Sequence, residues 1–159
     1  MDLIMENEII VNIEKLYNSF LFNATLIGAL VLILVLVTVG VIKFKLLNSK
    51  VKQIALILLT AICSIGLMIL QFVEISPVYT DYSEQSYVLI EDAKIVIKDG
   101  SSGGINSTNK VVVSYEDKVI ELKMQTDYSL STEVEYVGKI AYLEHSEYIV
   151  WYQFEGHYL

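Results

Sequence analysis

The sequence predicts an integral membrane protein: an α-helical hairpin of two transmembrane helices followed by a small all-β domain. Three observations carry that reading. Two uncharged apolar runs lie close together in the first half of the chain, a lysine-rich stretch separates them, and beyond residue 75 the apolar residues change from a continuous to an alternating pattern. With 159 residues, 54% of them apolar, and a mean hydropathy of +0.52, the chain is too hydrophobic to wet its whole surface, so part of it is solvated by lipid.

Residues 1–19 come first. Ile9, Ile10, Ile13, Tyr17 and Phe20 recur at helical spacing among Glu6, Glu8 and Glu14, which predicts an amphipathic helix running into the first span. The simpler reading is a solvated extension of that span; the alternative is a lid packed on the following domain. A cleaved signal peptide needs a basic leader, and here four acids precede Phe20 against Lys15 alone.

Residues 20–42 form the first predicted span. No charge lies between Lys15 and Lys43, and sixteen of the twenty-three residues from Phe20 to Ile42 are Leu, Ile, Val or Phe. At 1.5 Å per residue this reaches roughly 35 Å, enough to cross a hydrocarbon core of about 30 Å. The summed insertion preference is roughly 5 to 10 kcal/mol. Residues 53–74 form the second span, uncharged from Gln53 to Val73. Between them, residues 43–52 hold Lys43, Lys45, Lys50 and Lys52 and no acid. Short basic loops stay in the cytoplasm, so these lysines are expected to set the topology, with the N-terminus and the C-terminal domain both outside the cell membrane. Lysines beside an anionic lipid surface would serve binding as well. Apart from Glu74 at the outer edge of the second, the spans carry no ionisable carboxylate, lysine or histidine, which argues against an autonomous pump or carrier. Small residues four apart, Ala24 with Gly28 and Thr60 with Ser64, suit close helix packing, either within the hairpin or in a homo- or hetero-oligomer.

Residues 75–159 form the β-rich domain. Strands are expected at 87–90, 94–98, 110–115, 118–124, 133–143 and 148–154, with Glu116-Asp117 and His145-Ser146 as hairpin turns. In the fourth, Ile120, Leu122 and Met124 share one face and Glu121 and Lys123 the other, the mark of a half-buried strand. Five or six short strands suit an SH3-like or OB-like barrel or a sandwich. The single cysteine, Cys63, lies in the second span, so no internal disulfide can staple this domain.

From Ser76 onward the domain holds fourteen acids and six lysines. That balance disfavours nucleic acid and favours a cationic protein or peptide. Ten of the eleven tyrosines lie here. Tyr79, Tyr82 and Tyr87, just after the second span, suit an interfacial belt, strand packing or a recognition surface; Tyr148, Trp151, Tyr152 and Phe154 form the second candidate surface. All eleven basic residues are lysines, a bias that an AT-rich bacterial genome would write.

Catalytic motifs fail on context. Gly100 to Gly104 matches G-x-S-x-G around Ser102, but a strand follows where a helix is required, and a hairpin loop from Asp99 to Asn109 accounts for it. His145 and His157 lack a third ligand at metal-binding spacing. Asn106-Ser107-Thr108 is a glycosylation sequon only in a eukaryotic secretory pathway. The expectation is therefore a protein that is not an enzyme, without cofactor or metal, anchored in the bilayer and binding a protein or peptide outside the cell. An immunity or exclusion factor against a secreted toxin, bacteriocin or phage is one form. An accessory subunit of a transport or secretion complex is the second reading, and an enzyme acting on the envelope the third.

Overall fold

Two long helices and a mixed β-sheet make up the chain in a computed structural model, which describes residues 3–44, 46–47, 49–98, 108–125, 130–154 and 157–158. The elements run α1 (Leu3–Lys43), α2 (Lys50–Glu84), β1 (Tyr87–Lys98), β2 (Thr108–Tyr115), β3 (Lys118–Gln125), β4 (Glu135–Leu143), β5 (Tyr148–Phe154) and β6 (His157–Tyr158). They divide into two units: residues 19–76, and residues 1–18 together with 77–159.

The first unit is helical. Both helices are long and apolar enough to cross a membrane, and only 6% of the most apolar window of each is buried. Large side chains such as Leu32, Leu36, Ile62 and Leu70 are exposed, a distribution that water penalises by about 25 cal/mol for each Å² of apolar surface. The exception is a polar line. Asn23, Thr38, Ser64 and Gln71 are buried, and the hydroxyls of Thr38 and Thr60 lie 2.8 Å apart. Thr38 also returns a bond to the Leu34 carbonyl. The connection is short. Leu46 N–H bonds the Val41 carbonyl at the end of α1, and the Gln53 amide donates to the Leu47 carbonyl at the start of α2.

The second helix does not stop near Glu74 as the sequence suggests; it continues through Pro77 to Glu84. A proline inside a helix lacks the donor for one hydrogen bond and costs about 3 kcal/mol. Beyond it, Val78 and Asp81 are both fully buried, and that tertiary burial offsets the break. The helix ends at Gln85, whose φ of 51° is left-handed, with Ser86 N–H bonded to the Asp81 carbonyl, the pattern of a helix C-terminal cap.

In the sheet, β1 pairs antiparallel with β2 and with β4, β2 with β3, and β4 with β5. Strands β3 and β5 pair in parallel through Lys123 with Tyr148 and Met124 with Ile149. Each of β1 to β5 thus has a neighbour on both sides, and the short β6 pairs antiparallel with β5. The two strands expected over residues 87–98 are one, bent where its register with β4 shifts between Ile90 and Ala93. Bulges of this kind let a long strand turn while keeping its pairing. Glu116 and Asp117 both adopt positive φ, the geometry of a two-residue hairpin. Strand β4 starts at Glu135 rather than Glu133, because Glu133 is left-handed at φ 61° and its N–H goes to the Ile97 carbonyl.

The core gathers Ile95, Ile97, Val111, Val113, Leu122, Met124, Ile140, Ile149, Tyr152 and Phe154. Ile120 packs against it, so Ile120, Leu122 and Met124 share the inner face as their alternation predicts. Gly138 lies opposite Phe154 on β5, and a Cβ there would overlap the Gln153 carbonyl oxygen and the Phe154 ring.

Candidate binding cleft on the helix-capped face

Strand β5 buries four successive residues, Ile149 to Tyr152, which a strand with one wet face cannot do. Ile149 and Tyr152 belong to the core cluster, whereas Val150 and Trp151 are buried outside it. The reason is a register shift: Ala141 pairs with Trp151 and Tyr142 with Ile149, leaving Val150 as the extra residue of a bulge. Its carbonyl accepts a 3.0 Å bond from the Asn12 side-chain amide of α1. One residue on, Trp151 Nε1 donates to the Glu8 carboxylate at 3.1 Å. Ile9, Ile13 and Leu16, at helical spacing, are all buried. The N-terminal segment is therefore docked on the sheet domain, not solvated as the simpler sequence reading has it.

The end of α2 closes the same face. Asp81 is fully buried, and its two carboxylate oxygens accept the backbone N–H groups of His145 at 2.9 Å and Ser146 at 2.8 Å. These are consecutive amides in the β4–β5 turn, where Glu147 adopts a positive φ, so the turn forms a small concave donor site that the carboxylate fills. Glu84 lies 3.5 Å from His145 Nε2, and Ser86 donates to Glu144 at 3.1 Å. From the other side Lys123 N–H bonds the Glu147 carbonyl and its ammonium lies over the Tyr148 ring.

Between these two helical segments lies a cleft of about 350 Å³, lined by Ile10, Ile13, Glu14, Tyr82, Ser83 and Gln85. The Tyr17 and Tyr82 rings stack beside it, with centroids 4.4 Å apart and planes within 8°, and Tyr79 meets Tyr17 at 6.0 Å. Such ring pairs contribute about 0.5–1.5 kcal/mol each beyond burial. The Glu14 carboxylate has no side-chain hydrogen bond or ion pair to another described residue, and the neighbouring Lys15 ammonium donates to Asn12. Burial, followed by the negative charge of Glu6, raises the Tyr87 hydroxyl above its usual pKa of 10.0. The Tyr142 hydroxyl is raised by burial, then by its contact with Tyr115 and by Glu144 and Glu147.

The residues singled out from sequence fall in different places. Tyr79 and Tyr82 are exposed on the end of α2, Tyr87 is half-buried at the start of β1, and Tyr148 is half-buried beside Lys123. Trp151, Tyr152 and Phe154 are corrections: at 5%, 1% and 2% exposure they are structural, the first held by Glu8 and the other two stacked on each other at 4.8 Å. Ala24 is half-buried and Gly28 exposed, with nothing near the place a Cβ would occupy; Thr60 meets Thr38 and Ser64 is buried. Lys43, Lys50 and Lys52 are exposed. Lys45 and the loop holding Ser102 lie outside the described residues. Nothing in the sequence selects Asp81 or Asn12 as site residues, and Glu14 enters it only as an acid of the amphipathic helix; the signal for Asp81 is an isolated acid one turn after a buried valine, too common a pattern to select it.

Among the described residues no group of three or more His, Cys, Asp and Glu could hold a metal ion. The arrangement offers shape, aromatic surface and negative charge, the means of binding. Comparison of the chain with protein-family models, curated proteins and solved structures finds no match.

Proposed function

We propose that this chain is a membrane-anchored binding module that captures a protein or peptide outside the cytoplasm. On this reading the two apolar helices lie in the bilayer, the lysine loop stays in the cytoplasm, and the acidic sheet domain stands outside. The strand pairings run in a circuit, β1-β2-β3-β5-β4-β1, which fits a closed OB-like barrel. The observation that carries the reading is the cleft lined by Tyr82 and Glu14, formed by helical segments that cap an acidic domain. An immunity or exclusion factor against a secreted toxin is the most concrete form.

The test is affinity purification of the tagged chain after crosslinking in intact cells. Capture of a soluble extracellular polypeptide supports the module. Stoichiometric recovery of other membrane subunits supports the second reading, an accessory subunit of a transport or secretion complex. That alternative draws on Gly28, Gly40 and Gly66, each of which has open space where a side chain would stand, as a close helix–helix approach requires. For the immunity form, unchanged killing on deletion and on expression would sink the idea.

A further inference from the structure

The cleft has one charged group in its lining, Glu14, and that carboxylate has no cation among the described residues. Its walls are otherwise Ile10 and Ile13, the Tyr82 ring, and the small polar side chains of Ser83 and Gln85. The stack with Tyr17 occupies one face of the Tyr82 ring, and an aromatic face within about 6 Å of a cation attracts it. Among the described residues no lysine lines the space. Glu6 and Glu8 are exposed on the same helix, and Glu84 stands beside the cleft residues Ser83 and Gln85 in sequence. A volume of about 350 Å³ is at the lower end of small-ligand sites, roughly 300–1,000 Å³, and suits a side chain, not a folded domain.

We infer that this cleft receives a lysine or arginine side chain of a cationic, partly apolar peptide segment, its head on Glu14, its aliphatic stem along Ile10 and Ile13, and Tyr82 beside it. This rests on the capture reading above and names the place and the partner chemistry. An anionic group is opposed by Glu14. An arginine head gains more than a lysine head, because its planar fork can pair with the carboxylate through two bonds.

The experiment uses the full chain in a maltoside detergent and, as probe, a short fluorescent peptide of alternating leucine and lysine, followed by polarisation. The expected result is that Glu14→Gln weakens binding by about tenfold or more, as the loss of one charge-assisted bond should. Glu133→Gln removes the same charge from an exposed residue outside the cleft and should change binding by less than about twofold. Ser83→Arg, which supplies the chain's own cation, should also block the probe, and unchanged Trp151 fluorescence in each variant shows that the fold is kept. Equal small effects of Glu14→Gln and Glu133→Gln overturn the cleft while leaving capture elsewhere on the domain standing. Absence of probe binding overturns it too, and the crosslinking capture then decides the broader reading alone. Displacement of the probe by glycerophosphocholine, lost in Glu14→Gln, overturns the peptide in favour of a lipid headgroup.

Discussion

Asp81→Ala would leave the amides of His145 and Ser146 facing a void. In the native protein each donates to one oxygen of this fully buried carboxylate, at 2.9 and 2.8 Å. A hydrogen bond to a charged acceptor contributes about 1.5–3 kcal/mol, so the pair is worth about 3–6 kcal/mol. Part is recovered because the variant no longer buries a carboxylate, and the expected loss is about 3–4 kcal/mol. Asp81→Asn keeps one acceptor oxygen and turns an amide donor toward the other N–H, for a loss of about 2–3 kcal/mol. Against a domain stability of about 5–15 kcal/mol these are large fractions, and melting should fall by more than about 10 °C for Asp81→Ala. Urea unfolding of the full chain in detergent, read through the buried single tryptophan Trp151, measures both. An Asp81→Ala variant within about 0.5 kcal/mol of the native protein would refute the clamp.

Other expected outcomes follow the same physics. Asn12→Ala strips the Val150 carbonyl of its side-chain donor and should cost about 1–3 kcal/mol in the same urea assay. Gly138→Ala drives a methyl into the Gln153 backbone and the Phe154 ring, and should cost about 1–3 kcal/mol or more, read as a lowered melting temperature. The raised hydroxyls of Tyr87 and Tyr142 stay protonated longer in the folded chain than in the unfolded one. Their stabilising share is thus complete below the unfolded value of 10.0 and is lost as pH rises through the higher folded values. Melting curves taken across that range should flatten in a Tyr87→Phe, Tyr142→Phe double variant. A double-mutant cycle on Thr38→Val and Thr60→Val should give a coupling of about 0.5–2 kcal/mol by unfolding in mixed micelles.

How much was legible in sequence depends on whether the signal was local. The helical runs are long and uniform, so composition alone places them, and the alternation in Ile120, Leu122 and Met124 gives the buried face of β3 directly. Glu116-Asp117 is a turn by residue type and by conformation. The end of α2 was misplaced because the uncharged apolar run stops at Val73, whereas the helix continues past Pro77 on the burial of Val78 and Asp81. The split of β1 misled because a bulge at Glu91 and Asp92 imitates a gap between strands. Trp151 and Tyr152 read as surface aromatics because a strand is assumed to have one wet face; the helix that covers the other comes from more than a hundred residues earlier in the chain, held by Asn12 and Glu8. The cleft was out of reach for that same reason, since Glu14 and Tyr82 meet only through tertiary packing.

Capture of an extracellular partner requires the sheet domain to stand outside the cell, and thiol labelling in intact cells tests that requirement most directly. On a Cys63→Ser background, single cysteines replace Ser49, next to the exposed Lys50, and Ser131, exposed ahead of β4. A membrane-impermeant reagent should label the cysteine at 131 and spare the one at 49 until the cells are opened. Labelling at 49 with protection at 131 would place the domain in the cytoplasm and contradict the capture of any extracellular partner.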